Sequence, residues 1–340
     1  MRLTKRGLLE KRRKQTASLR ARIMGELKFE TTPLPSFTAP DDQVSILATR
    51  DRYGFPVRMG ISHATGIAYL VDRLEHGAYN AFYQRGLYRD LIHAFFGLSE
   101  SEHSDEVYEA TATQNADRVV KAISGLLNLA PKSRLLDIGG SNGALASALS
   151  KALGAQALVI DPAEQELAQA AKRGLETRLG LFEDITFEAS EKFDLIVINR
   201  AIEHIFDMRQ TFDKINHLLT PEGYFLFDTA DFLNEIERRG SAEAVAKIDH
   251  PFFLYDEMVG VFCARMGFKV LMSVQHQRCS MLYLCGRQEP QPARFGESQR
   301  QSVIRLLLTK DAQWQEMPPA LDYTLADRLK IALAKRLKRK

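Results

Sequence analysis

From residue 134 onward, short apolar runs alternate with stretches whose apolar positions recur every three or four residues. "RLLDI" and "ALVID" read as buried strands, "TRLGLF" and "FDLIVIN" as further short ones, and "YFLFDT" follows a Pro-Glu-Gly turn. Between them a helix begins near Ala144 and stops at Gly154, "AEQELAQAAKR" is a helix ended by Gly174, and "YDEMVGVFCARMGF" is another. "KVLMSVQ" and "SMLYLCGR" form a closing pair of strands. Such alternation predicts an α/β fold: a mostly parallel sheet covered by helices on both faces. No internal repeat is visible.

The pattern changes on either side of this core. Residues 1–30 predict a basic helix, and residues 31–45, with three prolines, a linker. Residues 46–109 form a smaller α+β accessory segment. There Tyr79, Phe82, Tyr83 and Leu87 fall at helical spacings, predicting a helix packed on the main domain, which runs over 110–287. Residues 288–320 are rich in Gln and Pro and predict little regular structure. They open a C-terminal extension, 288–340, that ends in a basic amphipathic helix. Its Leu325, Leu329, Leu333 and Leu337 recur every four residues among Lys330, Lys335, Arg336, Lys338, Arg339 and Lys340.

With 340 residues, 45% hydrophobic and 26% charged, the chain has an ordinary globular composition, and a net charge of +3 excludes a general polyanion binder. The charge sits at the ends: residues 1–28 hold ten Lys/Arg against two Glu, and residues 325–340 hold seven against one Asp. That arrangement suits a peripheral contact with an anionic membrane surface through the termini, with a solvated basic tail or a helix docked on a partner as the alternatives. Cys263, Cys279 and Cys285 make no C-x-x-C pair, which fits a reducing compartment. No secretory signal and no transmembrane run is visible, so the expected location is cytoplasmic, at most peripheral on the inner face of the membrane.

The candidate chemistry lies in "RLLDIGGSNGALASAL". Gly139, Gly140 and Gly143 let the backbone pass close to a ligand just before a helix N-terminus. The spacing is neither G-x-G-x-x-G nor a phosphate loop ending in Lys. Asp137, two residues before the turn, would repel a pyrophosphate but attract an amino group. Asp161 follows 24 residues later, where an acid accepts hydrogen bonds from ribose hydroxyls in nucleotide-binding α/β folds. A ligand with a ribose, a positive charge and no phosphate suits both acids, and S-adenosylmethionine is such a ligand. The alternative is a tight turn that holds nothing.

Taken in order, "LLDIGGSNG", "VIDPA", "FDLIVINRAIEHIFD" and "LLTPEGYFLFD" resemble the class I S-adenosylmethionine-dependent methyltransferases over roughly residues 110–287. The resemblance implies a Rossmann-like sheet of seven strands with the last antiparallel. It places the cofactor at the carboxyl ends of the first two strands. By the same likeness Asp137, Gly139, Gly140, Gly143, Asp161 and Pro162 are cofactor residues. Phe182 and Glu183 lie near the adenine, and Asn199 ends the fourth strand.

For the acceptor, His204 in "IEHIFD" is a candidate general base, with packing beneath the cofactor as the equal alternative. His250, in "IDHPFF", is a second candidate, and His276 reads as a surface residue. Tyr79, Tyr83, Tyr88 and Arg89 are candidates for the mouth of the active site, with core packing the competing explanation for Tyr79 and Tyr83. Gln114 is a candidate cofactor contact. "NRAI" stands where base-methylating enzymes carry Asn/Asp-Pro-Pro-aromatic, and no basic groove with interleaved aromatics accompanies it, so no specific nucleic acid is expected.

The segment "DRYGFPVRMGISHATGIAYLVDRL" with "YNAFYQRGLYRDL" resembles the N-terminal part of methyltransferases associated with bacterial surface-glycan synthesis. In those relatives a zinc ribbon supplies a C-x-x-C-G knuckle. Here Ser62 and Thr65 stand at the cysteine positions before Gly66, and His63 alone cannot hold zinc, so a metal-free ribbon remnant is expected. The function expected from all of this is O-methylation of a sugar or a lipid-linked glycan. The alternatives are a small phenolic or quinone-like acceptor, or a silent partner protein that keeps the fold.

Overall fold

The computed structural model describes residues 2–31, 42–99, 105–277, 279–292, 296–318 and 320–321. Two short helices open the chain, α1 (Lys5–Gln15) and α2 (Ala17–Glu26), where one basic helix was expected. The accessory segment supplies α3 (His76–Gln84) and α4 (Leu87–Phe96), and α5 (Asp105–Ile123) leads into the main sheet. The sheet strands are β1 (Arg134–Ile138), β2 (Gln156–Asp161), β3 (Glu176–Leu179), β4 (Phe193–Ile198), β5 (Leu219–Ala230), β6 (Phe268–Gln277) and β7 (Ser280–Arg287). Helices α6 (Ala144–Leu153), α7 (Glu164–Lys172), α8 (Met208–Leu218), α9 (Phe232–Arg239), α10 (Ala242–Val245) and α11 (Asp256–Arg265) connect them.

The strand order is β3-β2-β1-β4-β5-β7-β6. Strands β3 to β5 in that order run parallel, and β7 enters antiparallel between β5 and β6. This is the Rossmann-like class I methyltransferase sheet expected from the sequence. Because it is covered on both faces, each central strand is apolar at successive positions rather than at alternate ones. Leu135 and Val159 point into a core with α5, α6 and α7, whereas Leu136, Ile138 and Ile160 point into the larger core on the other face. Asp137 shares the face of Leu135, which brings its carboxylate under the start of α6.

The accessory segment is built into the body. Strands 44–48, 59–62 and 68–70 form a small antiparallel sheet, and Phe252–Phe253, from the stretch between β5 and α11, adds its fourth strand. The turn over residues 62–66 is held by hydroxyls. Thr65 Oγ1 donates to Ser62 Oγ at 2.8 Å, the Thr65 amide reaches the same oxygen at 3.0 Å, and Ser62 bonds Asp42. His63 Nε2 lies 2.8 Å from Ser45 Oγ.

One expectation fails here. Residues 297–316, within a stretch expected to lack structure, form the helix α12 (Glu297–Glu316). Gln, Glu and Arg are competent helix formers, and Val303, Ile304, Leu307 and Trp314 bury one side of it. The N-terminal basic stretch is not a free cationic arm. Arg13 is buried against Glu243 of α10, and the Trp314 indole donates to the same carboxylate at 3.0 Å. Arg6 bonds the carbonyls of Gln315 and Met317, and residues 2–3 pair with 320–321. The leucine stripe at 325–337 and most of the 31–45 linker lie outside the described residues. Among the described residues no helix is long and apolar enough to cross a membrane.

Candidate active site

A cavity of about 360 Å³ opens at the carboxyl ends of β1, β2 and β4. Of the sequence-derived candidates, Asp137, Gly139, Gly140, Asp161, Pro162, Phe182, Glu183, Asn199, His204, Tyr83 and Tyr88 line it. Gly143, Arg89, Gln114 and His250 do not.

The glycine turn explains itself atom by atom. Gly139 has φ +69°, and a Cβ there would lie 2.7 Å from Ala201 Cβ. At Gly140 a Cβ would meet the Asp137 carboxylate at 2.7 Å and Val159 at 2.8 Å. Gly143 answers to a different need: its Cβ would strike Leu175 and Ala170 at 2.6 and 2.9 Å, so it lets α6 start tightly against α7. Ser141 completes the turn in the left-handed region, φ 51°, and its amide donates to Asp161 Oδ2 at 2.9 Å. The Ala163 amide donates to Asp161 Oδ1 at 2.8 Å, so this acid is fixed by backbone before any ligand arrives.

Asp137 differs. It is buried, Oδ2 has no hydrogen-bond partner among the described residues, and burial with the Asp161 charge pushes its carboxyl up to about 7. A buried carboxylate oxygen without a donor is costly unless a ligand supplies one. An ammonium group does so, which is how the residues fit the methionine amino group of S-adenosylmethionine. Asp161, pushed up to about 6 mainly by burial, stands one strand away with oxygens to accept ribose hydroxyls. The Phe182–Glu183 turn is fixed from outside by the Lys214 ammonium, which donates to the carbonyls of Glu183 and Ile185 at 3.2 and 2.6 Å.

At the other end of the cavity, His204 sits on a short turn after β4. Its Nδ1 lies 2.9 Å from the Asp249 carbonyl, 3.5 Å from Asp249 Oδ2 and 2.6 Å from the Tyr83 hydroxyl. The Asp249 carbonyl can only accept, whereas the Tyr83 hydroxyl can give or take a hydrogen; with the hydrogen on Nδ1, Nε2 keeps a lone pair. Burial holds His204 below its ordinary value, so the ring is neutral near pH 7. Tyr79 is core and more than core: its hydroxyl donates to the His204 carbonyl at 2.6 Å and lies 2.9 Å from that of Asp249.

Four sequence candidates are corrected. His250 lies behind His204, ring centroids 4.5 Å apart, rather than on the cavity wall. Arg89 is committed to Glu166 and to the Tyr108 ring, so it braces the cofactor loop rather than meeting an acceptor. Gln114 is exposed; its neighbour Asn115, one helical step round, lines the cavity and donates to Asn199. His276 is no surface residue: its side chain is 3% exposed and its Nε2 lies 3.1 Å from Asp228 Oδ2. Tyr108, Asn115, Lys247 and Asp249 also line the cavity and were not singled out. The adjacent flags Gln114 and His250 were the available signals for Asn115 and Asp249.

Comparison with known proteins agrees with this geometry. Residues 136–225 match the family described as a methyltransferase domain. The ubiquinone biosynthesis O-methyltransferase of Nitrobacter winogradskyi is 30% identical over 124 residues, covering 35% of this chain and 45% of the relative. The glycine/sarcosine/dimethylglycine N-methyltransferase of Actinopolyspora halophila is 23% identical over 167 residues, 42% of this chain and 29% of the relative. The chain thus spans less than half the length of these curated relatives. Among solved structures, magnesium protoporphyrin IX methyltransferase from Synechocystis is similar at a TM-score of 0.45 and 14% identity, covering 62% of this chain and 98% of that one. From the sheet order, the glycine turn with its two acids and the matched domain, the chain carries a class I S-adenosylmethionine-dependent methyltransferase domain.

Proposed function

We propose that the protein methylates a hydroxyl group of a small acceptor, with His204 as the base. The observation that carries this is the attachment of His204 to Asp249 and Tyr83 on the wall of the cavity that Asp137 and Gly139 also line. S-adenosylmethionine, when bound, supplies an electrophilic methyl group. Asp137 binds its amino group, Asp161 its ribose, and the Asn199 amide, its buried Nδ2 without a hydrogen-bond partner among the described residues, offers a donor between them and the acceptor end. His204 Nε2 takes the hydroxyl proton, and the Asp249 carboxylate at 3.5 Å stabilises the imidazolium that results. Tyr83, Tyr88 and Tyr108 hold the acceptor in line, and positioning supplies much of the rate.

For the acceptor class we propose a sugar or a sugar-containing, lipid-linked metabolite. The supporting features are the row of tyrosine hydroxyls with Lys247 and Asp249, which suits a polyhydroxylated ligand, and the basic leucine stripe of residues 325–340. A phenolic or quinone-like acceptor is the second reading, favoured by the ubiquinone-pathway relatives. Incubation with S-adenosylmethionine labelled in the methyl group and extracts of the source cell, followed by isolation of the labelled product, tests both. A methyl ether on a sugar supports the first, an aryl methyl ether the second. A label on nitrogen or carbon would remove the O-directed reading.

A further inference from the structure

Lys247 lines the cavity three residues before His250, yet its ammonium makes no hydrogen bond or ion pair with any described residue. The carboxylates that attract it do not reach it: Glu203 accepts from the Thr229 hydroxyl and the Ala230 amide, and Asp249 sets Oδ2 3.5 Å from His204 Nδ1, while its Oδ1 has no hydrogen-bond partner among the described residues. Burial pushes the Lys247 ammonium below its ordinary value. Arg52, buried behind the same stretch with Nε and Nη2 lacking hydrogen-bond partners among the described residues, adds to the positive field that both cations exert on His250. Arg200 also lines the cavity and holds a left-handed backbone, φ 56°, because its amide bonds Asp228; its guanidinium has no partner among the described residues.

A metal ion is the competing occupant, since His204, Asp249 and His250 bring one donor atom each within 4.8 Å of one another. A divalent cation would have to enter beside Lys247 and Arg52; an anion meets the Asp249 carboxylate as well, but it alone gives the Lys247 ammonium the hydrogen-bond partner it lacks among the described residues.

We propose that Lys247 is the counter-charge for an anionic group of the acceptor, a phosphate or a carboxylate close to the hydroxyl that His204 deprotonates. The acceptor is then an acidic hydroxylated molecule such as a sugar phosphate or a uronic acid. This rests on the methyltransferase reading of the cavity.

The test uses full-length protein saturated with S-adenosylhomocysteine, at constant ionic strength, titrated with glucose 1-phosphate, glucuronate and neutral glucose. The wild type is expected to bind at least one of the anions saturably and more tightly than glucose, and the one preferred tells phosphate from carboxylate. Lys247→Gln should weaken that anion at least tenfold and Lys247→Arg by less, and the loss with Lys247→Gln should exceed any change in glucose binding. Equal anion affinity in wild type and Lys247→Gln overturns the proposal. So does the absence of saturable anion binding to the wild type, whatever the variants do. Failure of S-adenosylhomocysteine itself to bind would instead overturn the reading on which the proposal rests.

Discussion

The Tyr83 hydroxyl lies 2.6 Å from Nδ1 of His204 across 121 positions of sequence. One residue comes from the accessory segment and the other from the turn after β4, so the accessory segment builds one wall of the cavity. Tyr79 strengthens the same connection through the carbonyls of His204 and Asp249.

His204→Ala should lower kcat by roughly 10²–10⁴, the usual worth of a general base, while S-adenosylhomocysteine affinity stays within about twofold. Tyr83→Phe should cost less, since the Asp249 carbonyl still orients the ring. Because His204 is held below 6.5, the acid limb of the kcat profile should fall below that value. Steady-state kinetics with calorimetric binding separates these effects; a His204→Ala enzyme of wild-type turnover removes the base.

Gly140→Ala and Gly143→Ala should fail differently. At Gly140 the new methyl group would lie 2.7 Å from the Asp137 carboxylate, so cofactor affinity should drop about tenfold or more, on the order of 1.4 kcal/mol. At Gly143, φ +73° with Leu175 2.6 Å from the new methyl, the loss should be in folding, about 1–3 kcal/mol. Paired titration and denaturant unfolding distinguish them.

Cofactor affinity should rise with pH. Asp137 is pushed up to about 7 and Asp161 to about 6, so below those values each carboxyl is protonated and cannot serve an ammonium or a ribose as a carboxylate. The same raised values mean that their contribution to stability, complete below 3.8, is lost as pH climbs through 6 to 7. The ligand-free protein is therefore destabilised by Asp137 in the range where the ligand's amino group stabilises it. The thermal upshift given by S-adenosylhomocysteine should be larger at neutral pH than at mildly acidic pH, and Asp137→Asn should flatten that trend. An upshift independent of pH in the wild type contradicts it.

Glu243 ties together Arg13 of α1, Arg50 and Trp314 of α12, beside the stretch that carries Lys247 and Asp249. Glu243→Ala leaves Arg13 with the half-buried Glu10 as its remaining carboxylate and the Trp314 indole without its acceptor, and about 1–3 kcal/mol of stability should be lost in equilibrium unfolding. A change within experimental error would show that the clasp of the two termini carries no weight.

The sheet and the cofactor end were legible in the sequence because they rest on local pattern: apolar runs, a glycine turn and two acids at fixed spacing. The acceptor end was legible only in fragments. His204 stood out as a residue, but its partners come from two distant stretches, Tyr79 and Tyr83 from α3 and Asp249 from the segment before α11, and side-chain convergence leaves no local signature. His276 was misjudged because its partner Asp228 lies on another strand. The helix α12 was missed because a polar surface with few buried positions gives a weak period, although Trp314 marked its buried side.

The most direct test of the account is calorimetric titration of the full-length protein with S-adenosylhomocysteine, run beside Asp137→Ala and with NAD as control. The account predicts a single site of micromolar affinity in the wild type, marked weakening in Asp137→Ala and no heat with NAD. No heat with S-adenosylhomocysteine in the wild type, or tight binding of NAD, would contradict it.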